Sequence, residues 1–107
     1  MFSKDDLTNA PEDELCGAIT IVLEDFKKSS QYHLMINQSH ESDWTLGARF
    51  EEHLAALHIK EAYRVLCVLV AEYRRRGLSL PDNVNADLKR NVALKETDID
   101  VAYRCLV

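Results

Sequence analysis

The chain has 107 residues, a formal net charge of −5, 47% hydrophobic residues and 29% charged residues. That length suits one domain with a core large enough to fold without a disulfide or a metal. The charge balance is wrong for a protein that must neutralise many phosphates, and the longest apolar run, 65–71, is too short to cross a bilayer. The expectation is therefore one helical domain over residues 1–107, with no membrane segment and no dependence on a cofactor.

The opening stretch, MFSKDDLTNAPEDEL, has no apolar core of the kind a secretory signal carries. A cytoplasmic setting is expected. Cys16, Cys67 and Cys105 are odd in number and lack metal-binding spacing, which reads as buried small hydrophobes in a reducing compartment. Residues 1–25 set Lys4 against Asp5, Asp6, Glu12, Asp13, Glu14, Glu24 and Asp25, a net −6, while the remainder is nearly balanced.

A first long helix is predicted from Pro11 to Lys28. Proline suits a helix start, and Glu12, Asp13 and Glu14 favour the positive end of the dipole. Leu15, Ile19, Val22, Leu23 and Phe26 recur at helical spacing as its apolar stripe. The connection 29–43 contains QYHLMIN, which reads equally as strand, short helix or loop. Its Tyr32, His33, Met35 and His40, with the following Trp44, have the composition of an adaptable contact surface, or of a cap on the core.

Helical pattern then continues from Trp44 to Arg76, with Ser42 or Asp43 as N-cap. Leu46, Phe50, Leu54 and Leu57 form one stripe; Ile59, Tyr63, Leu66, Val70 and Tyr73 form another. The step from 57 to 59 turns about 200°, so a break or sharp kink near Leu57-His58-Ile59 is predicted. The second piece, about 59–76, is apolar around most of its circumference and is expected to be central. Gly77 after Arg74-Arg75-Arg76 reads as a left-handed helix stop, with the basic residues opposing the dipole. Glu61 with Arg64, and Glu72 with Arg76, have ion-pair spacing.

A further helix is predicted over roughly Asp82 to Leu94. A final one has Thr97 as N-cap and Ile99, Ala102, Tyr103 and Leu106 facing inward. The fold class is all-α, a compact single-domain bundle of about five helices.

No constellation carries chemistry. His33, His40, His53 and His58 lack the spacing of a zinc helix, and neither a nucleophile elbow nor a phosphate-cradling glycine loop occurs. No catalytic, cofactor or metal residue is assigned, and an enzyme is not expected. The acidic start on a small scaffold has the profile of immunity or antitoxin proteins that neutralise basic, nuclease-like bacterial toxins. The expected function is thus a protein-binding inhibitor, with Glu12, Asp13, Glu14, Glu24, Asp25, Tyr32 and Trp44 as candidate contacts. The alternative is a small helical regulator binding nucleic acid through Arg74, Arg75, Arg76, Lys89 and Arg90. A homodimer through the central helix fits either function.

Overall fold

The computed structural model describes residues 4–39 and 46–106, which form helices and their connections with no strand among them. The helices are α1 (Lys4–Asn9), α2 (Glu12–Ser39), α3 (Leu46–Arg75), α4 (Asp82–Asn91) and α5 (Glu96–Leu106). The all-α bundle is as expected, but the five helices are not the predicted five. A short α1 precedes the rest, and the two pieces expected either side of residue 58 are one helix.

α2 and α3 run antiparallel as a long hairpin. Three cross-links fix the register: Tyr73 donates to the Glu12 carbonyl (3.4 Å), His58 meets Asp25 (2.6 Å), and His33 meets Glu52 (2.9 Å). As the α2 number rises the α3 number falls in step. Between the helices lie Leu15, Ile19 and Leu23 from α2, and Ala55, Ala62, Leu66, Leu69 and Tyr73 from α3, all buried.

That α3 line explains why no break occurs. Ala55, Ala62, Leu66, Leu69 and Tyr73 follow helical spacing straight through 57–59, so one continuous face meets α2. The stripe Phe50, Leu54, Leu57 is a second, outward stripe, and these side chains are 59, 64 and 47% exposed. The sequence pattern was dominated by large side chains, whereas small alanines set the buried line. The predicted connection 29–43 is corrected in the same way: α2 continues to Ser39, and the QYHLMIN stretch is helix. Ser29-Ser30 is a weak stop signal without glycine or proline, and both residues are half-buried along α2. The proposed N-caps Ser42 and Asp43 lie outside the described residues.

The core fills the end of the hairpin where α2 begins and α3 ends. There α1 supplies Leu7, α4 supplies Val84 and Leu88, and α5 supplies Ile99 and Ala102 to one cluster with residues 66–73 of α3, and α4 rests against α2. This stretch of α3 is buried on several sides, as its composition predicts. Cys67 lies in the core and Cys16 is half-buried, but Cys105 is exposed near the end of α5, so the expectation of three buried cysteines is corrected. The molecule measures 50 × 27 × 24 Å with a radius of gyration of 15.8 Å. A globule of this length has roughly 13 Å. The excess reflects the hairpin, whose far half projects beyond the shorter helices.

Helix ends follow local chemistry. α3 closes in a Schellman arrangement: Leu78 N–H donates to the Tyr73 carbonyl (2.9 Å), Gly77 N–H donates to the Arg74 carbonyl (3.0 Å), and Gly77 has φ +71°. α4 stops at Asn91, short of the predicted Leu94, because Ala93 takes φ +53° and donates to the Leu88 carbonyl (2.9 Å). Val92 and Leu94 are thereby turned against the core. α5 begins at Glu96, with Lys95 rather than Thr97 at the cap: its carbonyl accepts from Asp98 and Ile99 N–H (3.1 Å each). Of the α5 residues predicted to face inward, Tyr103 is exposed. An alanine in left-handed conformation is strained where glycine is not. Ala93→Gly is expected to stabilise the fold by about 0.5–1 kcal/mol, and Gly77→Ala to destabilise it by about 1 kcal/mol. Paired urea denaturation curves of the two variants check both signs.

Candidate functional site

Because α2 begins at Glu12, Glu12, Asp13 and Glu14 occupy its first turn. All three are exposed, and none makes an ion pair among the described residues. The dipole accounts for their presence there. Glu24 and Asp25 lie three turns further on, about 18 Å along the axis. Glu24 pairs with Lys27 (3.2 Å), which also reaches Asp87 of α4 (2.7 Å), and Asp25 meets His58. The five candidate carboxylates therefore form an unpaired triplet and a separate, internally engaged pair. Tyr32 is 49% exposed about two turns beyond Asp25 on the projecting half of α2. Trp44 lies outside the described residues.

The three arginines each engage a carboxylate of the chain itself, although Arg74 and Arg75 remain exposed. Arg74 makes a two-pronged contact with Glu96 at the start of α5 (2.7 and 2.9 Å). Arg75 and Arg76 both converge on Glu72, which is fully buried, at 2.5 to 2.9 Å. Arg76 also donates to the carbonyls of Leu7 and Thr8 (3.0 and 3.1 Å), the end of α1. Burial alone would push the Glu72 carboxyl up. Hydrogen bonds from Arg75 and Arg76 outweigh it and hold the group below the usual carboxylate range. The spacing of Glu72 and Arg76 announced their pair, but not its burial or the share taken by Arg75. Glu61 and Arg64 are not paired among the described residues.

Two grooves flank the hairpin. The larger, about 730 Å³, runs between α3 and α5 and is lined by Phe26, Ile59, Tyr63, Cys67, Val68 and Val101, with Lys60 and Arg64 at its rim. Tyr63 donates to Asp98 (2.6 Å) and accepts from Lys95 N–H (3.0 Å), so the polar groups of this wall are satisfied. Burial pushes the Cys67 thiol up to about 11, with Asp98 adding to it, which makes it a poor nucleophile at neutral pH. The second groove, about 400 Å³, lies between α2 and α3 on the projecting half. It is lined by Lys28, Ser29, Tyr32, Glu51, Leu54 and His58, together with the buried Ala55.

Among the described residues no three His, Cys, Asp or Glu side chains are grouped so as to hold a metal, and no helix is long and apolar enough to cross a membrane. What the fold defines is an all-α bundle: a long antiparallel hairpin whose one end is wrapped by three short helices. No protein-family model, curated protein or solved structure matches the chain.

Proposed function

We propose that the chain is a small, non-enzymatic, acidic inhibitor of the immunity or antitoxin type, acting in the cytoplasm by direct contact with a basic, nuclease-like toxin. The observation that carries this reading is the triplet Glu12, Asp13 and Glu14, exposed in one helical turn with no ion-pair partner among the described residues. Unpaired carboxylates on a rigid helix end supply a field that steers a cationic surface toward it and resists like-charged partners. Glu24 and Asp25 contribute less in this reading, because Lys27 and His58 already engage them.

The nucleic-acid alternative has less support. Arg74 and Lys89 border one shallow depression beside α4, but Glu96 sits in it too and holds the Arg74 guanidinium. Arg75 and Arg76 are directed at Glu72. The test is affinity purification of the tagged chain from its source cells at low salt, beside the triple variant Glu12→Lys, Asp13→Lys, Glu14→Lys. A basic, toxin-like protein retained by the first and lost from the second is the expected result. Identical retention by both sinks the electrostatic contact, and a low-salt mobility shift with duplex DNA or RNA transfers the argument to the alternative.

A further inference from the structure

We infer that the projecting half of the α2–α3 hairpin is a dimer interface, and that its occupant is the same half of a second copy of this chain. Three large apolar side chains, Phe50, Leu54 and Leu57, follow one another at i, i+4 and i+7 along α3 and are about half or more exposed. Tyr32 faces Leu54 across the groove between the helices, and Met35, 55% exposed, continues the apolar surface one turn further along α2. At the other end of the hairpin, α1, α4 and α5 supply the second layer that a pair of amphipathic helices requires. No described element supplies it here.

Size favours a second copy. These five side chains expose roughly 600 Å² per molecule, and with the polar groups flanking them a face-to-face contact approaches the ~800 Å² per partner of a stable complex. The charges of the face are also self-complementary. Lys28 stands on the α2 wall of the groove and Glu51 on the α3 wall, both exposed and neither in a described ion pair. A two-fold axis running along the hairpin lays α2 of each copy on α3 of the other. Lys28 of one molecule and Glu51 of the other then bring opposite charges onto the same face, ~9 Å apart along the axis, and the same relation recurs by symmetry. Tyr32 meets Leu54 across the interface in the same way. Because α2 and α3 are antiparallel, the product is a four-helix arrangement in which every helix has antiparallel neighbours. His58 and Asp25, at the edge of the groove, already hydrogen-bond one another.

This proposal differs from dimerisation through the central, most apolar part of α3, which the chain buries within itself. It is tested on the full chain by sedimentation equilibrium from about 1 to 100 µM, with far-ultraviolet circular dichroism as the fold control. The wild type is expected to reach twice the 12.3 kDa chain mass. Leu54→Asp is expected to weaken association by ~100-fold or more while keeping its helicity, since Leu54 is exposed in the single chain. Lys28→Glu and Glu51→Lys each weaken it about two- to threefold, and the two together restore most of the loss, because the attraction is re-formed with its charges exchanged. These two variants alter only exposed groups, so they decide the matter even where Leu54→Asp loses structure. A chain that stays monomeric at 100 µM overturns the proposal, as does a dimer indifferent to Leu54→Asp, or a double charge variant no better than its singles.

Discussion

Glu72→Ala is expected to destabilise the fold by about 3 kcal/mol, one of the largest losses available from a single polar side chain here. The carboxylate is fully buried and receives both Arg75 and Arg76, and Arg76 continues to the carbonyls that end α1. Removing it takes the shared carboxylate from two guanidinium groups, leaves Arg76 only the α1 carbonyls, and loosens the tie that holds α1 over α3. Arg75 and Arg76 keep some contact with water, which keeps the expected loss at the lower end of what a broken buried pair costs. Glu72→Gln retains an acceptor oxygen but not the charge, so an intermediate loss, about 2 kcal/mol, is expected. Urea denaturation at neutral pH measures both. A loss below about 0.5 kcal/mol for the alanine variant would reduce Glu72 to an ordinary surface carboxylate.

The same contact sets a direction for acid sensitivity. Folding lowers the Glu72 pKa because Arg75 and Arg76 outweigh the cost of burial. A carboxyl whose folded pKa is depressed contributes stability that is fully present above its unfolded value and is lost as pH falls through the folded one. The wild type therefore loses this contribution on the acid side, below the usual carboxylate range. Glu72→Gln has nothing there to lose, so the gap between the two narrows as the solution is acidified. Glu96, held down by Arg74, and Asp87, held down by Lys27, shift in the same direction but are solvent-facing, and salt screens them.

The helix stop at Gly77 was legible because glycine, the basic last turn and Leu78 all point to one structure, and that is the structure formed. The α2 stripe from Leu15 to Phe26 was legible for the same reason. α1 was not: six residues with Leu7 as the buried anchor carry no periodicity to detect. The false break at 57–59 arose because periodicity weighs side chains by size. Ala55 and Ala62 bring α2 and α3 close precisely by being small, while Phe50, Leu54 and Leu57 advertise a face that a single chain leaves open. Of the candidate contacts, Glu12 to Glu14 could be placed in a first turn from sequence. Glu24 with Lys27 is an i, i+3 pair that helical spacing allows, whereas the meeting of Asp25 with His58 depended on the hairpin register, which no local pattern encodes.

Leu66→Ala separates the two apolar stripes of α3 by energy. Leu66 is completely buried where α3 meets α2 and the short helices. Its truncation is expected to cost about 3 kcal/mol and to lower the midpoint of thermal unfolding by roughly 15 °C in a domain of this size. The cost is intramolecular, so it should not vary with protein concentration. Leu54, three turns earlier on the same helix, is 64% exposed, and the single chain gains little from it. Where two copies associate, however, stability is linked to concentration, and Leu54 contributes only as the dimer fills. Unfolding curves of the wild type and Leu66→Ala should therefore keep a constant separation from about 1 to 100 µM, whereas truncating Leu54 should matter little at the low end and more at the high end. A Leu66→Ala variant within about 1 kcal/mol of wild type would mean that this stretch of α3 can relax around a void, and that the line Ala55, Ala62, Leu66, Leu69, Tyr73 is not what holds α3 against α2.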